Sequence, residues 1–223
     1  MKAVVLSDTL GHLPKIDGKF DLLIHAGNFA PLIGNEPKEI EINRQADWME
    51  DLFCPWFKSI QAEYKILTPG ENDHVAKWFS RDLERHIEGL YLQGEAATIK
   101  GMVFYGMPWL HPEAEKYVAG VSDPSFLSPT RKHFQAACRK IPDRTNILIT
   151  RLPPKGILDG YGPVKIGDFN LMERVDELKE LKMHIFGLAN NNAASSITRG
   201  NVVFVNAHML ENNGKFSVLN IDF

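Results

Sequence analysis

Seven short runs of nearly uninterrupted apolar residues constrain this chain most. They are Ala3–Leu6, Leu22–Ile24, Tyr64–Leu67, Met102–Tyr105, Asn146–Thr150, His184–Phe186 and Val202–Val205. A strand buried on both faces loses the in–out alternation of a half-exposed strand and reads as such a run. Helical periodicity lies between several of them. Met49, Leu52, Phe53, Trp56, Phe57 and Ile60 fall on one helix face, with Pro55 inside the pattern as an expected break or kink. Leu171, Val175, Leu178 and Leu181 mark a second helix, with Asn170 and Glu173 placed as its capping box. The first half therefore reads β-loop-β-α-β-α, and the second adds a helix and further strands. Val202–Val205 and Phe216–Ile221 are expected to form a meander turned at Asn212-Asn213-Gly214. The order implies a layered α/β (α+β) domain.

With 223 residues the chain can bury a sizeable core, and no repeat or low-complexity linker divides it. Residues 1–223 are read as one domain. Segment 107–130, rich in proline and serine, is expected to be a long loop with one short helix. Lys and Arg number 25 against 28 Asp and Glu, a net of -3, which argues against a general electrostatic grip on nucleic acid. Two cysteines, Cys54 and Cys138, are too few for a disulfide framework and suit a reducing compartment. There is no secretory leader pattern before the first strand and no run of about 18 apolar residues. A cytoplasmic protein that does not enter a membrane is expected.

In open α/β sheets, chemistry collects at the carboxyl ends of strands. Five such ends here are polar or glycine-rich: Ser7-Asp8-Thr9-Leu10, His25-Ala26-Gly27-Asn28, Thr68-Pro69-Gly70-Glu71-Asn72-Asp73-His74, Arg151-Leu152-Pro153-Pro154 and Gly187-Leu188-Ala189-Asn190. Their order resembles that of the calcineurin-like metallophosphoesterases, which string D-x-H, G-D, G-N-H-[DE], a single H and G-H-x-H along the chain. The likeness is greatest to the small metallophosphoesterase-domain-containing branch. There S-D-T-H, I-H-A-G-D, Y-G-S-P-W, T-H-x-P-P-x-G-I-L-D and F-G-H-x-H correspond to segments beginning at Ser7, Ile24, Tyr105, Thr150 and Phe186. The resemblance implies a two-sheet β-sandwich core flanked by helices in four layers, and a site for two metal ions.

The ligand positions depart from that pattern. Asp8 alone is kept. Leu10, Arg151, Leu188 and Asn190 stand at histidine positions, and Asn28 stands where an aspartate bridges both metals. Read without an insertion, Gly70-Glu71-Asn72-Asp73 puts glutamate at the asparagine ligand and Asn72 at the catalytic histidine. A one-residue shift instead keeps Asn72 as ligand and brings Asp73 or His74 near the acid position.

Two dications about 3.5–4 Å apart need an anionic bridging oxygen, which Asn28 lacks. Leucine has no lone pairs, and Arg151 is a permanent cation where a neutral imidazole is required. Asp8 and Glu71 remain as weak metal candidates. No metal or other cofactor is expected; an active protein would use Mn2+ or another divalent ion.

Removing two dications from a carboxylate cluster leaves buried charge unpaired, so Arg151 is expected to pair with Asp8 or Glu71 in the old cavity. Asp8, Asn28, Glu71, Asn72, Arg151, Asn190 and Trp109 are the candidate ligand-binding residues. His25 reads as a core histidine, Asp73 as a helix cap, and the Trp48, Trp56 and Trp78 group as helix core or a partner surface. The function implied is a degenerate metallophosphoesterase fold with a binding or regulatory role towards a protein partner or a small anionic ligand. The alternative is an atypical phosphoesterase with one metal held by Asp8, Asn28, Glu71 and Asn190.

Overall fold

The computed structural model describes residues 1–223 except 33–36, 118–123, 213–214, 218 and 223. Strands β1 (Lys2–Leu6), β2 (Phe20–His25), β3 (Ala62–Leu67) and β4 (Leu90–Tyr91) come first, followed by β5 (Glu95–Ile99), β6 (Met102–Met107) and β7 (Ile147–Thr150). A small hairpin, β8 (Gly160–Tyr161) and β9 (Val164–Lys165), precedes β10 (Met183–Phe186), β11 (Ser195–Arg199) and β12 (Val202–Asn206). A second hairpin, β13 (Leu210–Asn212) and β14 (Lys215–Ser217), precedes β15 (Leu219–Asp222).

Two sheets carry the fold, one ordered β15-β1-β2-β3-β4 and the other β11-β12-β10-β7-β6-β5. The seven apolar runs are all strands, and the parallel pairs β1·β2, β2·β3, β6·β7, β7·β10 and β10·β12 are built from them. Alternate side chains of each strand serve different cores. Ala3, Val5, Leu22, Ile24 and Ile66 of one sheet pack against Ile147, Ile149, Ile185 and Val205 of the other. Val4, Leu6, Leu23 and Leu67 face outwards onto helices α1 (Lys38–Trp48), α2 (Cys54–Ser59), α3 (His74–Trp78) and α4 (Ser80–Ile87). Leu148, Phe186 and Phe204 face α5 (Arg131–Arg139) and α6 (Phe169–Glu177). The result is the four-layer, two-sheet arrangement that the resemblance implies.

Several local expectations are corrected. The disturbance expected at Pro55 takes the form of a π-helical turn, Met49–Phe53, directly before α2; the helical backbone runs on through Pro55, in the first turn of α2, and joins α1 to α2. That wider turn rotates the apolar stripe: Phe53 and Phe57 are buried, whereas Leu52 is exposed. The cap of α6 is Asp168, whose carboxylate accepts from Leu171 N–H at 3.0 Å; Asn170 and Glu173 lie inside the helix. Val202–Val205 and the last strand do not form a meander, because β12 belongs to the six-stranded sheet and β15 pairs antiparallel with β1. Of the expected turn at 212–214, Asn213 and Gly214 lie outside the described residues. Segment 107–130 contains a 3-10 helix, Pro112–Tyr117. Among the described residues no helix is long and apolar enough to cross a membrane.

Candidate functional site

Parallel strands deliver their carboxyl ends to one place. Asp8 follows β1, Asn28 follows β2, Glu71 follows β3, Arg151 follows β7 and Leu188 follows β10, and hydrogen bonds join all five. Arg151 is at the centre and fully buried. Its Nη2 donates to Asp8 Oδ1 at 2.5 Å and Glu71 Oε1 at 2.9 Å, its Nη1 to Asp8 Oδ2 at 3.0 Å, and its Nε to Glu71 Oε2 at 2.6 Å. The guanidinium thus bonds all four oxygens of two carboxylates, which its planar fork permits and a lysine would not.

The remaining contacts fix the two acids. Asn28 Nδ2 donates to Glu71 Oε1 at 2.8 Å and to Asp8 Oδ1 at 3.3 Å, while its Oδ1 accepts from Asn72 N–H at 3.0 Å. Ser7 Oγ (2.6 Å) and Leu188 N–H (3.0 Å) both donate to Asp8 Oδ2. Burial works to raise the Asp8 pKa, but the charges of Arg151 and His208 outweigh it and hold this carboxyl well below the usual carboxylate range. Burial alone would lower the Arg151 pKa; Asp8 and Glu71 reverse that and raise it.

His208, just past β12, carries no signal in the sequence. It reaches the site because it forms a parallel bridge with Ser7. Its Nδ1 lies 3.0 Å from Asp8 Oδ2 with its side chain 23% exposed, at ion-pair distance but without the alignment of a hydrogen bond.

Four of these positions have left-handed backbone: Asp8 (φ 57), Leu10 (φ 46), Asn28 (φ 55) and Leu188 (φ 63). Asp and Asn tolerate this region, but leucine gains nothing there and the strain costs on the order of 1 kcal/mol per residue. Leu10 N–H bonds Asn28 O at 3.0 Å, so the loop hydrogen bonds fix the shape irrespective of the side chain. Gly187 is equally constrained: a Cβ there would lie 2.3 Å from Ser7 Oγ, 2.5 Å from Arg151 Nη1 and 2.7 Å from Asp8 Oδ2. Gly187→Ala is therefore expected to cost about 3 kcal/mol of stability in urea unfolding, and an unchanged midpoint would contradict this packing.

Other expected site residues are placed elsewhere. Asn190 is exposed, and its Oδ1 accepts from Gly162 N–H at 3.1 Å in the β8–β9 hairpin. Asn72 is buried but turned away, its Nδ2 donating to Ala30 O at 2.7 Å. Trp109 anchors its loop between both outer cores, its ring over Gly94, where a Cβ would meet Cη2 at 2.4 Å. Leu10 is half-buried and supplies only its backbone.

Asp73 is the first residue before α3 yet makes no cap bond. Its carboxylate instead accepts from Gly70 (2.7 Å), Asn28 (2.8 Å) and Ala30 (2.9 Å) N–H groups, which pins the β2 and β3 loops together. Burial pushes its pKa up to about 7 against the pull of those donors. His74 is a buried link: Lys38 Nζ donates to its Nε2 at 3.1 Å, so its Nδ1–H faces Ser125 Oγ at 2.8 Å.

His25 is also buried. Gly27 N–H donates to its Nδ1, and Nε2 faces Thr9 Oγ1 at 3.1 Å. Burial lowers its pKa to about 3, so it is neutral beneath the site.

Two divalent ions, as this fold implies, do not suit these residues. The Asn28 amide presents N–H rather than oxygen to both carboxylates, Leu10 and Leu188 offer hydrocarbon, and the guanidinium already uses every oxygen of Asp8 and Glu71. Among the described residues no group of three or more His, Cys, Asp or Glu side chains is arranged to hold a metal.

No family model matches the chain. It is 28% identical over 225 residues to UPF0046 protein K07C11.7 of Caenorhabditis elegans, covering 93% of this chain and 69% of that one. Metallophosphoesterase domain-containing protein 1 of Homo sapiens and of Mus musculus are each 26% identical over 232 residues, covering 92% of this chain and 64% of theirs. The chain therefore spans about two thirds of the length of these relatives. One solved structure, 16% identical, superposes with a TM-score of 0.66 over 100% of this chain and 98% of its own. A Staphylococcus aureus structure titled as that of a putative 5'-nucleotidase superposes with a TM-score of 0.51 at 10% identity, over 97% of this chain and 52% of its own. By sequence the chain is a relative of the metallophosphoesterase domain-containing proteins, and its fold is that of the calcineurin-like metallophosphoesterases.

Proposed function

We propose that this protein is a degenerate metallophosphoesterase-fold protein in which Arg151 stands in for the metal ions, and that it acts by binding or regulation rather than by hydrolysis. The bonding of the buried guanidinium to all four oxygens of Asp8 and Glu71 carries this reading. One side-chain cation there is paired with two carboxylates that would otherwise be buried without a counter-charge. It cannot do a metal's chemistry: a guanidinium has no open coordination position and cannot lower the pKa of a water. Asn72, at the acid position when the loop is read without an insertion, is turned away, His25 is neutral and enclosed, and His208, beside the cluster, faces Asp8 Oδ2 at 3.0 Å. The strained backbone at Leu10 and Leu188 fits the same history, a site whose loops keep their shape while their side chains have changed.

The test is hydrolysis of a chromogenic phosphodiester with millimolar Mn2+, at several pH values. Turnover is expected to stay at the level of buffer with Mn2+ alone. Mn2+-dependent turnover that disappears in Asp8→Ala would overturn the proposal and favour the single-metal alternative.

A further inference from the structure

The six-stranded sheet carries a second grouping of polar and apolar side chains, and none of its residues belongs to the Arg151 cluster. The β11–β12 turn and the last turns of α6 flank a groove of about 360 Å3, at the small end of the volumes that hold small molecules. Its apolar floor is Met172 and Val175 of α6 with Val202 and Phe204 of β12. Met172, Val175 and Phe204 are buried, and Val202 is half-buried. A Cβ at Gly200, in the turn, would meet nothing within 4 Å, so the mouth is open.

Two charges line this groove, one from each wall: Arg199 ends β11, and Asp176 is in the last turn of α6. Among the described residues neither makes an ion pair, with the other or with a third group. The Arg199 guanidinium lies against α6 instead, its Nη1 at 4.0 Å from Met172 Sδ. A thioether is a weak acceptor and leaves the charge unmet. Asp176 is no better served. An acid in the last turn of a helix faces the negative end of the macrodipole, and Lys179 Nζ donates to the Asp176 backbone carbonyl at 3.0 Å rather than to the carboxylate.

We propose that this groove binds a free α-amino acid with an apolar side chain. The carboxylate of the ligand meets Arg199, its ammonium meets Asp176, and its side chain covers the floor. Spacing and charge select this class. Arg199 rests at Met172 and Asp176 follows four residues later, so the two positions on α6 are one helical turn, about 6 Å, apart. A carboxylate and an ammonium on one carbon span that gap with a hydrogen bond at each end. A simple anion would leave Asp176 facing its own sign, and a simple cation would do the same at Arg199. The floor offers a polar side chain no partner, so an apolar one is selected.

Isothermal titration calorimetry of L-leucine into the full chain tests the proposal. The wild type is expected to bind it at a single site with a Kd below about 1 mM. Arg199→Gln and Asp176→Asn alter exposed side chains, leave the urea midpoint unchanged, and each raise that Kd about tenfold or more. Isocaproate, the same skeleton without the ammonium, is expected to bind the wild type about tenfold more weakly than leucine, with no further loss in Asp176→Asn. Glycine, which lacks the apolar side chain, is expected to bind about tenfold more weakly as well. Absence of binding by leucine, methionine and phenylalanine at about 10 mM would overturn the proposal. So would a leucine Kd that either substitution leaves unchanged, or glycine binding as tightly as leucine. None of these readouts involves metal or turnover, so they are independent of the reading of the Arg151 site.

Discussion

Arg151→Met is expected to destabilise the protein by about 3–5 kcal/mol, because it leaves the Asp8 and Glu71 carboxylates buried without a counter-charge. For a chain of this size that is a fall in Tm of about 10 °C or more, read by calorimetry or by the urea midpoint. The cost belongs to the unpaired charges rather than to lost packing, since methionine fills most of the space of the arginine stem. Adding Asp8→Asn and Glu71→Gln to Arg151→Met should therefore recover most of the loss. The recovery distinguishes charge balance from a simple cavity: a triple variant as unstable as Arg151→Met alone would show that the guanidinium is not acting as the counter-ion. Asp8→Asn by itself leaves one guanidinium fork facing a neutral amide, and is expected to be destabilising in the same sense but by less.

Acid weakens the fold through two buried histidines, and the window is unusual in starting near neutrality. His25 and His184 are fully enclosed, and burial lowers each pKa to about 3. Thr150 Oγ1 donates to Leu152 O, so it accepts from His184 Nε2–H, and the Nδ1 of that ring has no partner. The unfolded chain binds these protons near pH 6.5 and the folded chain only near 3. Their contribution is complete above about 6.5 and falls as the pH drops through that interval, amounting to about 2 kcal/mol per histidine lost by pH 5. Asp73 titrates in the same range with opposite sign, because its carboxyl is raised in the fold, so the comparison is made between wild type and variant. His184→Asn is expected to remove about 2 kcal/mol from the wild-type difference between pH 7 and pH 5 in urea unfolding. An identical pH dependence in the variant would contradict a neutral, enclosed His184. The depressed Asp8 pKa acts elsewhere, adding to acid loss only below the ordinary carboxylate range.

The legible part of the sequence was whatever depends on burial and local periodicity. All seven apolar runs are strands, because strands covered on both faces must be apolar throughout. The loops that follow them carry the polar cluster for the same topological reason, since parallel strands release their carboxyl ends on one side. Other elements left no such trace. β11 is an edge strand with little buried surface, and its sequence, Ser-Ser-Ile-Thr-Arg, has no core pattern to read. The join of α1 and α2 escaped because a π-helical turn changes the angular step at Met49–Phe53, which no fixed 3.6-residue period represents.

The site divides in the same way. Arg151, Asp8, Asn28 and Glu71 follow strands directly, and their chain positions place them together. His208 is brought in by a bridge to Ser7 across the sandwich, a long-range pairing with no local signature. Asn190 and Asn72 occupy the expected loop positions but point elsewhere, Asn190 Oδ1 accepting from Gly162 N–H and Asn72 Nδ2 donating to Ala30 O. Residue type and spacing identify the loop; only the competition for hydrogen-bond partners decides which way an amide turns.

The claim that Arg151 has taken the place of the metals is tested most directly by metal content. The chain would be expressed with added manganese, purified without chelator and measured by elemental mass spectrometry. Less than about 0.1 ion of Mn, Fe or Zn per chain is expected, because the two carboxylates are fully engaged by the guanidinium. One or more tightly retained ions per chain, lost on Asp8→Ala, would contradict it and restore a metal-dependent hydrolase as the reading of this site.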